Sequence, residues 1–239
     1  MIGSSFAVLR WDGQRARTGP WRGDREVAYL VPLPDGPMPT PAFVRHCLST
    51  LAERGFRRVV TGAMSPMEQR AFLAVGFAVA ERLHLLEVDL AAGLPPVPAG
   101  LGLERAGRRR RDEVLALDRA AFSPFWQFDS KSLSDAVSAT PHTRFRVALV
   151  PGAGVAGYAI CGRSGGRGFV QRLAVDPSCQ QRGTGRRLLL DGLHWMSQQG
   201  VRRAVVNTQV GNHAALRLYL AAGFREDRHG LSVLSAGLP

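Results

Sequence analysis

Cysteine is scarce in this sequence. Cys47, Cys161 and Cys179 are the whole supply, odd in number and without the paired spacing of a metal-ligand set. That speaks against a disulfide framework or a bound metal and suits a reduced, cytoplasmic protein. Lysine is scarcer still, with Lys131 alone, so the formal charge of +12 is carried almost wholly by arginine. Such a bias, beside abundant Ala, Gly and Pro, is expected of a genome that favours arginine codons. Long apolar runs are also missing. None approaches the roughly 18–20 residues of a membrane-spanning helix, so no membrane association is expected. Met1–Leu9 has no basic segment ahead of its short apolar run, and no secretory leader is expected there. What is present is ordinary for a globular core: 239 residues, 45% hydrophobic, enough for one large domain or two small ones.

The stretch Arg172–Leu190 organises the rest. Leu173, Ala174 and Val175 read as the end of a strand, and Asp176-Pro177 terminates it. Gln180, Gln181, Arg182, Gly183, Thr184, Gly185 and Arg186 then lead into a helix whose apolar side starts at Leu188. The first N–H groups of a helix lack intrahelical partners and carry partial positive charge, so an anion is favoured there. Gly183 and Gly185 allow close backbone approach, and the flanking arginines add charge. A second segment, Asn212–Phe224, follows a strand at Ala204–Thr208. Asn212 and Tyr219 are seven residues apart, about two turns, and share one side of a helix.

Together these segments resemble the GNAT superfamily of N-acetyltransferases. Gln180-x-x-Gly183-x-Gly185 matches its cofactor loop, and Asn212 through Leu218-Tyr219 to Gly223-Phe224 matches its Asn…Leu-Tyr…Gly-Phe segment. The resemblance covers roughly Leu101–Leu234. It implies an α/β (α+β) fold, a mixed central sheet flanked by helices. It also implies acetyl-CoA as cofactor and an amine as acceptor. Gln181–Arg186 would hold the pyrophosphate, the backbone of Leu173–Val175 would pair with the pantetheine amides, and Tyr219 would protonate the departing thiolate. Asn212 either orients the cofactor or caps its helix.

An internal repeat extends the reading. Leu51–Val60 and Met196–Val205 both read helix, Gly, strand, and each is followed by a helix ending in Gly-Phe, at Gly76-Phe77 and Gly223-Phe224. A tandem arrangement is expected: a partial GNAT-like copy over residues 1–93, a Pro/Gly-rich linker over 94–100, and the complete copy over 101–239. The first copy has Pro34, Pro37, Pro39 and Pro41 where a phosphate loop belongs, and each proline lacks the N–H a cradle needs. Its counterpart of Tyr219 is Phe72. A structural role follows for this half. A hairpin over Phe224–Leu234 is expected to close the second copy.

The chemistry is less complete than the fold. Many relatives carry a glutamate on one of two adjacent strands. Here those strands read Phe169-Val170-Gln171-Arg172 and Val205-Val206-Asn207-Thr208-Gln209, without an acid. Asn207 stands where a base is expected, and a neutral amide holds a water or an acceptor but removes no proton. Phe125, Trp126 and Phe128 lie in an aromatic loop that either covers the acceptor site, as the resemblance implies, or plugs the gap between two helices. The Arg108–Arg111 run is either a solvated helix start or a patch for an anionic partner such as the 3′-phosphate of CoA, RNA or an acidic peptide, and a weaker reading of the whole basic chain is docking on RNA or a ribosome. The expected activity is acetyl transfer from acetyl-CoA to a primary amine, on a small molecule or a protein. The alternative is a non-catalytic CoA-binding sensor.

Overall fold

The computed structural model describes residues 7–33, 36–152 and 154–239. The chain begins with β1 (Ala7–Trp11), β2 (Gln14–Trp21), β3 (Asp24–Pro32), α1 (Pro41–Glu53), β4 (Arg58–Thr61), α2 (Pro66–Leu73) and β5 (Ala78–Asp89). Next come β6 (Gly102–Arg105), α3 (Arg111–Ala121), α4 (Ser130–Ser138), β7 (His142–Val150), β8 (Gly154–Ser164) and β9 (Arg167–Val175). Then follow α5 (Thr184–Gln198), β10 (Arg203–Gln209), α6 (His213–Ala221), β11 (Arg225–Glu226) and β12 (Leu231–Gly237). The fold is mixed α/β, with sheet flanked by helices. It divides into two compact units, Met1–His84 with Arg228–Pro239, and Leu85–Asp227.

In the first unit the strands lie in the order β1-β2-β3-β4-β12-β5, with β3 and β4 parallel. β2 is unannounced in the sequence because Gly19, Pro20 and four polar residues interrupt its pattern. Its inward positions are nonetheless filled by Ala16 and Thr18, and the register slips at Pro20, where a missing donor is tolerated. Pro41 starts α1 without losing a bond, since N–H groups of the first turn are orphans anyway. Phe43, Val44, Cys47 and Leu51 from α1 pack with Phe72, Phe77 and Leu234 into one core.

The second unit orders its strands β5-β10-β9-β8-β7-β6, and β11 adds to β5. α5 and α6 cover one face, where Leu188, Leu189, Leu193, Met196 and Tyr219 are buried. α3 and α4 cover the other, around Val114, Leu117, Leu133, Tyr158 and Ile160. The stretch expected as a linker lies within this unit. His194 Nε2 donates to the Pro95 carbonyl at 2.8 Å, and Arg187 donates to the Pro98 carbonyl.

The hairpin expected over Phe224–Leu234 does not form. β11 pairs antiparallel with Glu87 and Leu86 of β5, whereas β12 enters the first unit between β4 and β5. At 12 residues, or about 40 Å, β5 is long enough to give Ala78–His84 to the first unit and Leu85–Asp89 to the second. Each unit thus repeats one plan, a parallel pair followed by a strand from the other half of the sequence: β3-β4-β12-β5 in the first, β9-β10-β5-β11 in the second.

Candidate functional site

β9 and β10 are parallel but pair only at Arg167–Phe169 with Arg203–Val205. Beyond that point they part. β9 keeps its other partner, β8, as far as Val175. The edge of Leu173, Ala174 and Val175 on the β10 side is therefore open. A bulge contributes: Ile160 pairs Arg172 while Cys161 pairs Val170, which leaves Gln171 as the extra residue. One added residue reverses the side-chain parity. Val170 and Leu173 face the α5 core, but Arg172 and Ala174 face the α3 side.

The loop after β9 is held by Asp176, whose carboxylate accepts from the Ser178 N–H at 2.9 Å and the Ser178 hydroxyl at 2.6 Å. These bonds hold its pKa below the usual carboxylate value. Gln180 Nε2 donates to the Val175 carbonyl at 3.3 Å. Gln181 (φ 60) and Gly183 (φ 80) both adopt left-handed backbone, and Gly183 is the N-cap of α5. Having no side chain, it leaves the first-turn N–H groups uncapped. Gln181, Arg182, Gly183 and Arg186 are exposed, and Thr184 is buried. A Cβ at Gly185 would come into contact range of Val175 on β9 and Leu218 on α6. Arg187 turns away to Pro98.

Asn212 caps α6, its Oδ1 accepting from the Ala215 N–H at 3.1 Å. The Tyr219 ring is buried in the core beside Phe224, centroids 5.7 Å apart. Burial pushes its pKa upward, with a smaller contribution from nearby Cys161. The phenol therefore keeps its proton through the neutral range. Asn207 is exposed on β10, beyond the paired segment. Its neighbour Val206 faces the α5 core, so Asn207 faces the α3 side.

A buried ion pair escaped the sequence reading. Asp118 on α3 is 0% exposed. Its carboxylate accepts from Arg172 Nε and Nη2, both at 2.9 Å, from the Phe128 N–H at 2.7 Å, and from the Tyr158 hydroxyl. Burial, above all, raises the pKa of that phenol. Each carboxylate oxygen thus receives two bonds, which leaves no lone pair to accept a substrate proton. Arg172 also donates to the Trp126 carbonyl at 2.7 Å and lies over the rings of Phe122 and Phe128, 3.4 and 4.0 Å from their centroids. Phe128 is thus engaged with Arg172, while Phe125 and Trp126 form a half-buried pair 5.0 Å apart. A signal was available: Asp118 falls four residues after Val114 on the apolar stripe of α3, and Arg172 interrupts an apolar strand. The neighbouring arginine run is divided. Arg110 pairs with Glu113 and Arg111 with the Ser134 hydroxyl, while Arg108 and Arg109 are exposed.

The first unit presents a contrast at the same places in its repeat. The N-terminus of α1 is capped: Thr40 Oγ1 accepts from the Phe43 N–H at 3.2 Å, and the Thr40 N–H itself donates to Gln14 Oε1 at 2.7 Å. Phe72, opposite Phe77, is 1% exposed. The groove between the N-terminal ends of α1 and α2, about 330 Å³, is lined by Met38, Pro39, Pro41, Met67, Arg70 and Ala71. Pro34 and Asp35 lie outside the described residues.

Residues 111–224 match the family described as Acetyltransferase (GNAT) family. A mycothiol acetyltransferase of Clavibacter michiganensis subsp. michiganensis is 29% identical over 150 residues, 61% of this chain and 49% of that protein. The chain spans about half the length of this curated relative. Among solved structures, a tandem GNAT protein from the clavulanic acid biosynthesis pathway superposes with TM-score 0.71 at 16% identity, covering 96% of this chain and 81% of the other. A GCN5-related N-acetyltransferase from Sphaerobacter thermophilus gives 0.66 at 15%, covering 93% and 76%. These likenesses extend the shared fold over nearly the whole chain and leave the acceptor open.

Proposed function

We propose that the second unit transfers an acetyl group from acetyl-CoA to a primary amine. The observation that carries this is the parting of β9 and β10 after Phe169 and Val205, next to the uncapped start of α5. The open edge of Leu173–Val175 suits the pantetheine amides, which would add to it as a strand does. The free N–H groups following Gly183, with exposed Arg182 and Arg186, suit a pyrophosphate. Acetyl-CoA supplies the thioester. Tyr219 supplies the proton for the leaving sulfur, since burial keeps its phenol protonated. Asn207 faces the side from which an acceptor would approach and would hold it or a water. Phe125 and Trp126 border that side.

The acceptor must arrive as the free amine, because Asn207 is neutral and the carboxylate of Asp118 is saturated. The relatives' name places the chemistry of mycothiol first among acceptors to assay. The first unit is a partial copy with a structural role, and the protein works in the cytoplasm. Calorimetry tests the cofactor half of the proposal. One acetyl-CoA should bind per chain, and Gly183→Asp should weaken it at least about tenfold by placing a carboxylate where the pyrophosphate belongs. Two equivalent sites, or an unaffected variant, would refute it. The same missing base supports a second reading, a CoA-binding sensor. Tight binding with no CoA release across a panel of amines would favour that reading.

A further inference from the structure

We infer that Arg172 is a positioning residue that fastens the aromatic loop Phe122–Phe128 to the strand offering the cofactor edge. The inference rests on the acetyl-transfer reading only for its consequence, not for its geometry. Arg172 is the residue immediately before Leu173–Val175 and lies three positions beyond the last β9–β10 pair. The bulge at Gln171 turns its side chain to the α3 side. There its guanidinium makes three kinds of contact. It forms a two-pronged pair with Asp118, it donates to the Trp126 carbonyl, and it stacks between Phe122 and Phe128.

Asp118 completes the clamp from the loop's other end through the Phe128 N–H. Gln127 closes the loop on itself and on α3, donating to the Phe122 and Arg119 carbonyls at 3.0 and 3.1 Å. The Arg172 side chain is 9% exposed and that of Asp118 0%, so water competes little for these bonds. Only a planar fork reaches a carboxylate and a carbonyl while lying flat between two rings. The outcome is that Phe125 and Trp126, which border the acceptor side, are held at a set distance from Leu173–Val175. Strand and loop form one rigid wall.

Hydrogen exchange on the full chain tests this. Arg172→Lys keeps the charge beside Asp118 but loses the fork. It should restore most of the melting temperature lost in Arg172→Met. It should still leave amides 122–128 exchanging about 10- to 100-fold faster than wild type, the shift expected when one charge-assisted hydrogen bond is lost. Amides of α5 should stay protected, and acetyl-CoA affinity should stay within about threefold. The double variant Asp118→Asn/Arg172→Met removes the stranded charge and should show the same local loosening. Loop exchange at wild-type rates in either folded variant would overturn the inference. So would a rise that spreads equally to α5, which marks a merely structural residue. Failure of wild type to bind acetyl-CoA would instead sink the acetyl-transfer reading and leave the clamp standing.

Discussion

At the scale of single residues, two positions decide most. Tyr219 keeps its ring in the core, so a change at its hydroxyl alone separates the proposed chemistry from packing. Tyr219→Phe should change unfolding free energy by less than about 0.5 kcal/mol, yet lower turnover by roughly 10- to 10⁴-fold. Acetyl-CoA affinity should hold. The first unit already carries Phe72 in this position, fully packed. Unchanged CoA release from the variant would make Tyr219 a core residue and no more. Gly192 on α5 matters for space. A Cβ there would collide with the Sγ of buried Cys161. Gly192→Ala should cost about 1–3 kcal/mol by overpacking, and Cys161→Ala in the same chain should recover part of it. Additive losses in urea titrations would show that the two sites do not touch.

Elements show where local pattern suffices and where it does not. α1, α5 and α6 follow from apolar spacing with Thr40, Gly183 and Asn212 at their starts. β2 and the bulge at Gln171 do not follow, because their residues satisfy the pleat only once neighbouring strands set the register. β12 is the sharpest case. Its sequence, Leu231–Gly237, reads like any closing strand, yet it supplies Leu234 to the core of the first unit. Leu234→Ala should therefore destabilise by about 2–5 kcal/mol. Hydrogen exchange should place the loss in α1 and β4 before α3. Loss confined to residues 101–227 would contradict the strand's placement.

For the whole molecule, buried acids set an alkaline limit. Burial raises the thiols of Cys47 and Cys161 from 9.0 to about 12, and the phenols of Tyr158 and Tyr219 also rise. In the unfolded chain these groups lose protons earlier, so above the unfolded value the unfolded state binds fewer protons. Their contribution is complete below about pH 9 and is lost as pH climbs towards about 12. The melting temperature should fall across that window, and Cys47→Ala should flatten the slope. A melting temperature independent of pH from about 8 to 11 would show that these groups titrate normally. The exchange of strands between halves also means that a chain starting at Leu101 lacks both β4 and β5, the strands that hold β12. Such a fragment should aggregate or melt well below the full chain.

The sequence by itself determined α1, α5 and α6, the loop that enters α5 and the place of Tyr219 along α6, because each depends on neighbours within a few turns. Spacing along one helix, a glycine at a helix start and a proline lacking an N–H are local facts. Tertiary structure alone decided the ion pair of Asp118 with Arg172, the engagement of Phe128, and the membership of β12. Those join residues 54 apart in the first case and over 170 apart in the last. Their partners are chosen by register and burial, and neither exists until the sheet has formed.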